Sequence, residues 1–81
     1  MKKTLRLRYF AILREQRGLD EEAFTTGSST AAEVYEELRA LHKFTLPSER
    51  LRVAVNGDFA PWSAAILDGD ALAFLPPVAG G

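Results

Sequence analysis

The sequence predicts an α+β fold in which one main helix covers one face of a mixed sheet of about five strands. Two observations lead to this prediction. Several short segments alternate apolar and polar residues, with the period of a half-buried strand. Only one segment repeats apolar residues at three- and four-residue steps over the length of a full amphipathic helix. The length of 81 residues, 47% of them hydrophobic, then allows one small core and a single domain over residues 1–81.

The first part of the chain predicts strand, short helix and strand. Within residues 3–10, apolar side chains alternate with arginines, which indicates a half-buried strand. Good helix formers fill residues 11–17, and Gly18 follows them at the position where helices often end. Residues 20–26 finish in a β-prone run before Gly27, and we expect a second strand there.

The main helix has a recognisable beginning and end. Thr30 lies three residues before Glu33, which is the spacing of a capping box. The helix is expected to end near Lys43, where a cation suits the helix dipole, and Pro47 would prevent its continuation. The apolar stripe predicted to face the sheet consists of Ala31, Val34, Tyr35, Leu38 and Leu41.

The second part of the chain predicts three more strands. Residues 51–55 alternate, and the Asn56-Gly57 pair after them is a strong hairpin signal. The return strand over residues 58–62 contains a proline and is therefore expected at an edge. Residues 71–75 carry no charge, so this strand should lie at the centre of the sheet or be covered on both faces. Pairing it with the first strand gives a ubiquitin-like β-grasp fold.

Composition excludes several classes of function. Ten Lys and Arg against eleven Asp and Glu leave a net charge of −1, which argues against nucleic-acid binding. Without cysteine there is no disulfide, thiol nucleophile or cysteine-ligated metal. No metal site and no catalytic nucleophile–base set is indicated, so an autonomous enzyme is not expected. No apolar run is long enough for a membrane span and no targeting signal is present, which predicts a cytoplasmic protein.

Some residues remain open to more than one interpretation. His42, near the end of the main helix, is more typical of a solvent-facing or dipole-stabilised histidine than of a ligand or base. Trp62 could cover the core, lie in an exposed patch or form a dimer contact, and core cover is favoured. Six of the ten cations precede residue 18, where they could steer an acidic partner or simply keep this region soluble. These cations are Lys2, Lys3, Arg6, Arg8, Arg14 and Arg17.

Residues 76–81 form an apolar segment that ends in two glycines, and we expect it to be a flexible tail. Pro76 and Pro77 end the sheet and stiffen the exit of the chain. Glycines lack Cβ, so they could carry the terminal carboxylate into a narrow channel of another protein. A carboxylate becomes a useful electrophile only after activation, for example as an acyl-adenylate. An idle, frayed end is the alternative.

Four segments together resemble the small subunit of molybdopterin synthase, the MoaD branch of the MoaD/ThiS sulfur carriers. The resemblance runs in order over essentially the whole chain. The segments are Tyr9-Phe10-Ala11-Ile12-Leu13-Arg14-Glu15, Val55-Asn56-Gly57, Leu67-Asp68-Gly69-Asp70 and Phe74-Leu75-Pro76-Pro77-Val78-Ala79-Gly80-Gly81.

The resemblance implies a sulfur carrier in molybdenum cofactor biosynthesis. A ubiquitin-activating-type enzyme would consume ATP to adenylate the carboxylate of Gly81, and a sulfur donor protein would convert it to a thiocarboxylate. The tail would then enter the large subunit of molybdopterin synthase and donate sulfur to precursor Z, within a heterotetramer of two small and two large subunits. The carrier would bind no cofactor stably and would not be an enzyme on its own.

The resemblance also implies roles for particular residues. Gly81 would be the modified residue, and the tail that threads into the partner would comprise Gly80, Ala79, Val78, Pro77 and Pro76. The partner interface would include Phe10, Leu75 and Arg14. The alternatives are a carrier for thiazole synthesis or tRNA thiolation, a ubiquitin-like modifier, or a non-catalytic β-grasp interaction module.

Overall fold

The computed structural model describes residues 2–77 and confirms the predicted order of elements. No helix in this range is long and apolar enough to span a bilayer. The elements are β1 (Lys3–Tyr9), α1 (Ala11–Arg17), β2 (Glu21–Thr26), α2 (Ala31–His42), a 3₁₀ turn (Ser48–Arg50), β3 (Arg52–Val55), β4 (Asp58–Ala60) and β5 (Ala71–Leu75).

The strands form one mixed sheet in the order β2-β1-β5-β3-β4. The first and last strands are parallel neighbours at its centre, and the other pairs are antiparallel. The predicted β-grasp arrangement is therefore confirmed. Of the two positions considered for β5, the central one is right. Leu72 and Phe74 are buried, whereas the residues between and beside them are only half-buried.

The cap of α2 resembles the predicted capping box. The backbone N–H of Glu33 donates to the Thr30 hydroxyl at 3.3 Å. The Glu33 carboxylate accepts from the backbone N–H of Ser29 at 2.8 Å, one residue before the usual position. At the other end, Lys43 adopts a left-handed conformation with φ 56°, which ends the helix where the sequence predicts it.

Leu41 does not belong to the apolar stripe of α2, so that part of the prediction is wrong. Its side chain is 59% exposed. Successive helical residues are rotated by about 100°, so Leu41 and His42 cannot both face the core. His42 takes this position in the last turn, with its ring 5.5 Å from that of Phe44. The other four predicted residues are fully buried.

Aromatic rings fill the space between α2 and the sheet. Tyr35 of α2 lies 5.4 Å from Phe74 and 5.6 Å from Trp62, measured between ring centroids. Tyr9 lies 5.6 Å from Phe44 in an edge-to-face arrangement. Trp62 is partly buried and packs against the core, which confirms the favoured interpretation of this residue.

The hairpin between β3 and β4 follows its predicted turn chemistry. Asn56 and Gly57 both have positive φ, at 52° and 90°, as a two-residue type I′ turn requires. The return strand ends at Ala60, two residues earlier than predicted. Pro61 follows immediately and cannot donate a backbone hydrogen bond to a ladder.

Candidate functional site

The face of the sheet opposite α2 carries the side chains that alternate with the buried ones. Leu5, Leu7 and Tyr9 are buried beneath α2, so the arginines between them point to the other side. Strand register places the residues of this open face together: Arg6 and Arg8 of β1, Glu21 of β2, Ala71, Ala73 and Leu75 of β5, Arg52 and Ala54 of β3, and Phe59 of β4.

Phe10 and Leu75, the predicted apolar interface residues, come together at one edge of this face. Tyr9 pairs with Phe74 in parallel register, so the residues that follow them, Phe10 and Leu75, lie at the same end of these two strands. Both are half-buried. The guanidinium carbon of Arg8 lies 5.4 Å from the centroid of the Phe10 ring, a cation–π distance.

Phe59 is a third large apolar residue of the open face, and the sequence analysis missed it. It is 65% exposed and lies on the edge strand β4, opposite Ala54 in the register. The signal was available in the Asn56-Gly57 hairpin, because a two-residue turn fixes which residues of β4 share a face with those of β3. We call Phe10, Phe59 and Leu75, with the small residues Ala54 and Ala73 between them, the docking patch.

The other predicted site residues of the described range lie on α1 and directly after β5. Arg14 is exposed on α1, four residues after Phe10. Pro76 is half-buried and Pro77 is exposed, directly after β5. The predictions for Val78, Ala79, Gly80 and Gly81 concern residues outside the described part of the chain.

Three anchors hold α1 and therefore position Phe10 and Arg14. Leu13 is fully buried. The Gln16 side chain donates to the Thr45 hydroxyl at 2.9 Å and accepts from the Thr45 backbone N–H at 3.2 Å. Arg17 donates two hydrogen bonds to the Glu22 carboxylate, at 2.8 and 2.9 Å. With these contacts, a helix of seven residues is fixed at the edge of the sheet.

A polar cluster around Glu22 lies at the rim of the covered face. Its carboxylate also accepts from the Tyr9 hydroxyl at 2.6 Å. The hydrogen bond from Arg17 is the largest cause that lowers the pKa of Glu22. Burial raises the pKa of Tyr9 well above its usual range, so its hydroxyl remains a donor. The cluster contributes to structure, because a satisfied carboxylate with a lowered pKa is a poor general base at neutral pH.

His42 lies closer to the protein interior than the sequence suggested. Its side chain is 20% exposed, and Nε2 lies 3.8 Å from a carboxylate oxygen of Glu22. Burial and the nearby Arg17 lower the pKa of His42. Across residues 2–77, no group of three or more His, Asp and Glu side chains could hold a metal ion.

The cations on and beside the open face fall into two groups. On β1, Arg6 and Arg8 lie 3.5 and 3.9 Å from the carboxylate of Glu21. On the other side of β5, neither Arg50 nor Arg52 forms a salt bridge within the described range of 2–77. Arg52 instead lies over the ring of Phe59, at 5.1 Å from its centroid.

Comparison with known proteins places the chain in a family. The model of the ThiS family matches residues 7–81. The molybdopterin synthase sulfur carrier subunit of Haemophilus influenzae is 38% identical over 80 residues, which is 95% of this chain and 99% of that protein.

Solved structures share the fold over nearly the whole chain. A Pyrococcus furiosus protein, provisionally assigned as molybdopterin converting factor subunit 1, is 28% identical, with a TM-score of 0.78 and coverage of 94% of this chain and 99% of its own. Small archaeal modifier protein 1 of Haloferax volcanii is 26% identical, with the same TM-score of 0.78 and the same coverages of 94% and 99%.

A third structure shows a protein of this fold in a complex. In the complex of subunits 1 and 2 of the molybdopterin-converting factor from Helicobacter pylori, the matching chain is 23% identical with a TM-score of 0.60. The match covers 96% of this chain and 99% of that one, and it shows the fold. The family model and the full-length Haemophilus relative establish that this chain belongs to the ThiS family and is a homologue of molybdopterin synthase sulfur carrier subunits, as its sequence resemblance predicted.

Proposed function

We propose that this chain is the sulfur-carrying small subunit of molybdopterin synthase. The observation that carries the proposal is the 38% identity to a molybdopterin synthase sulfur carrier subunit over 95% of the chain. In this function Gly81 is adenylated, converted to a thiocarboxylate, and donates its sulfur to precursor Z within the synthase. The protein is not an enzyme alone but one component of a sulfurtransferase complex.

The chemistry of the tail explains why other proteins must act on it. At neutral pH the carboxylate of Gly81 is an anion and resists nucleophilic attack. An adenylating enzyme of the ubiquitin-activating type would join it to AMP with ATP, which supplies a good leaving group. A sulfur donor protein would then displace AMP. ATP is consumed by the activating enzyme, no cofactor stays bound to the carrier, and a cytoplasmic location fits this dependence on ATP.

The geometry of the open face supports delivery of the tail to a partner. Pro76 and Pro77 leave β5 directly after Leu75, a residue of the docking patch. Residues 78–81 can extend by about 14 Å when fully stretched, at roughly 3.4 Å per residue. A protein bound to the docking patch would therefore lie within reach of Gly81. Glycine at positions 80 and 81 would allow entry into a channel too narrow for a side chain.

We propose the large subunit of molybdopterin synthase as the protein that covers the docking patch, in the heterotetramer of the family. The Helicobacter relative is seen in a complex of subunits 1 and 2. Exposed apolar side chains such as Phe59, grouped on a sheet face that no helix within residues 2–77 covers, are typical of a surface that is buried in an assembly.

Intact-mass spectrometry tests the proposal. The chain that ends at Gly81, coexpressed with its adenylating enzyme and sulfur donor, should gain about 16 Da as sulfur replaces oxygen. The control is the same chain with Gly81 deleted, which should gain no mass and should not support molybdopterin formation. Sulfur transfer by the deleted chain at the rate of the full chain would refute the proposal.

A ubiquitin-like modifier is the second candidate, because the structural match to small archaeal modifier protein 1 covers 94% of the present chain. A modifier would form adducts with lysines of other proteins that survive denaturing electrophoresis. A carrier for thiazole synthesis or tRNA thiolation would instead copurify with those enzymes. A non-catalytic interaction module would bind its partner fully without the last two glycines and would show no mass change.

A further inference from the structure

A groove of ≈ 550 Å³ opens at the corner of the sheet where β5 ends and β3 begins. Apolar side chains form most of it, with two arginines along it. Its principal lining residues are Arg50, Arg52, Phe59, Leu75, Pro76 and Pro77, and we call it the arginine groove.

The walls of the arginine groove are fixed by the fold. On one side is the 3₁₀ turn, where the N–H of Arg50 donates to the carbonyl of Pro47 at 2.9 Å and the N–H of Leu51 to that of Ser48 at 3.0 Å. Leu51 is 6% exposed and anchors the turn in the core. On the other side, Leu75 pairs with Arg52 in the antiparallel register of β5 and β3. A ligand would thus meet a preformed site.

The groove carries positive charge that the described chain does not neutralise. Arg50 and Arg52 lie in no salt bridge within residues 2–77, in contrast to the arginines of β1, which share Glu21. Glu49 also lines the groove, and its carboxylate accepts a hydrogen bond from Ser48 at 3.3 Å. The Phe59 ring beneath Arg52 restrains its guanidinium, which lowers the entropic cost of binding a carboxylate.

We propose that the arginine groove binds an extended segment of the large subunit of molybdopterin synthase, with an Asp or Glu side chain beside an apolar one. This inference rests on the proposed function. The groove shares Phe59 and Leu75 with the docking patch and is bounded by Pro76 and Pro77, so a protein that takes the tail must pass over it. Guanidinium groups bind carboxylates through paired hydrogen bonds, and the apolar lining accepts the adjacent side chain.

Charge-neutralising variants test the inference. The Arg50→Gln, Arg52→Gln double variant is compared with Lys2→Gln, which removes a charge from the opposite end of the sheet. Isothermal titration calorimetry measures binding to the large synthase subunit and to the adenylating enzyme at about 0.05 M and about 0.5 M salt. We expect the double variant to bind the large subunit about tenfold more weakly at low salt, with a smaller loss at high salt. A loss confined to the adenylating enzyme would assign the groove to that enzyme and overturn the inference. Lys2→Gln should bind as the wild type does.

Further controls separate the possible outcomes. Thermal unfolding should be unchanged, because both arginines are exposed, and Arg52→Lys should recover part of the affinity by restoring charge without the paired geometry. Wild-type affinity of the double variant for the large subunit would overturn the inference and leave the proposed function intact. A wild-type chain that binds neither protein and gains no mass would instead overturn the proposed function.

Discussion

The two faces of the sheet differ in burial, although they are formed by adjacent residues of the same strands. In the central strands, Leu5, Leu7, Leu72 and Phe74 lie under α2 and are at most 1% exposed. The alternate positions of the same strands carry arginine, alanine and Leu75, which no element within residues 2–77 covers. The covered face thus stabilises the fold, whereas the open face is available for a partner. A strand allows this separation because its side chains alternate.

The covered face should respond most strongly to a loss of volume. Phe74 is fully buried and lies beside the rings of Tyr9, Tyr35 and Trp62, so Phe74→Ala would lose apolar contacts and leave a cavity. We expect the free energy of unfolding in urea to fall by about 3–5 kcal/mol, which is enough to unfold a marginal domain. The neighbouring substitution Leu75→Ala should cost less than about 1 kcal/mol. Equal losses at the two positions would contradict the division between the faces.

The open face should show the opposite behaviour when charge is introduced. Leu75→Glu should weaken binding of the large synthase subunit about 100-fold, because it replaces an apolar side chain of the docking patch with a carboxylate that would have to be desolvated on binding. Thermal stability should change little, since the side chain is only half-buried. Leu67→Glu is the matched control, because Leu67 is 67% exposed and lies outside the docking patch. This variant should bind the large synthase subunit as the wild type does. Equal effects of both substitutions on binding would remove Leu75 from the interface.

Local sequence patterns predicted most of the covered face. Alternation in β1 and β5, the Thr30 cap and the Asn56-Gly57 turn act over a few residues, so they can be recognised without knowledge of the tertiary structure. Leu41 was misplaced for the opposite reason. Both it and His42 fit an apolar stripe at the end of α2, and contact with Phe44, outside the helix, decides which one turns inward.

The open face was less predictable from sequence. Phe10 and Leu75 were expected at the interface from family resemblance, and the parallel register of β1 and β5 brings them together. Phe59 was missed because its face follows from its pairing with Ala54 across the hairpin, which the analysis of β4 alone did not consider. The arginine groove depends on pairing between Arg52 and Leu75, which are distant in sequence, and no local pattern reveals such a contact.

Substitutions at two adjacent glutamates test whether ionic interactions also stabilise the covered face more than the open face. Glu22→Gln would remove the carboxylate that receives two hydrogen bonds from Arg17 and one from Tyr9. We expect a loss of about 1–3 kcal/mol in unfolding free energy at pH 7. Glu21→Gln, on the open face with a side chain 46% exposed, should cost less than about 0.5 kcal/mol. If Glu21→Gln lowered the unfolding free energy more than Glu22→Gln did, the ion pairs that stabilise the fold would lie mainly on the open face.

The pH dependence of Glu22 provides a second measurement on the same variant. Its pKa is lowered from 4.5 in the folded state, chiefly by the hydrogen bond from Arg17. Its contribution is therefore present above pH 4.5 and is lost as the pH falls through the folded-state pKa. Urea unfolding below pH 4.5 should show a smaller loss of stability in Glu22→Gln than in the wild type. If Glu22→Gln and the wild type lost the same stability in acid, other carboxylates would determine the acid sensitivity of the fold.

His42 gives the smallest expected effect and the finest test of the covered face. Burial lowers its folded-state pKa below 6.5, Arg17 acts in the same direction, and Glu22 partly opposes both. The unfolded chain therefore binds a proton at higher pH than the folded chain does, so the free energy of unfolding should rise with pH up to about 6.5 and then level. In His42→Gln this rise should flatten while the acid response of Glu22 remains. If the slope persists in the variant, protonation of His42 is not coupled to folding, and the rim of the covered face is open enough to accept the imidazolium beside Glu22.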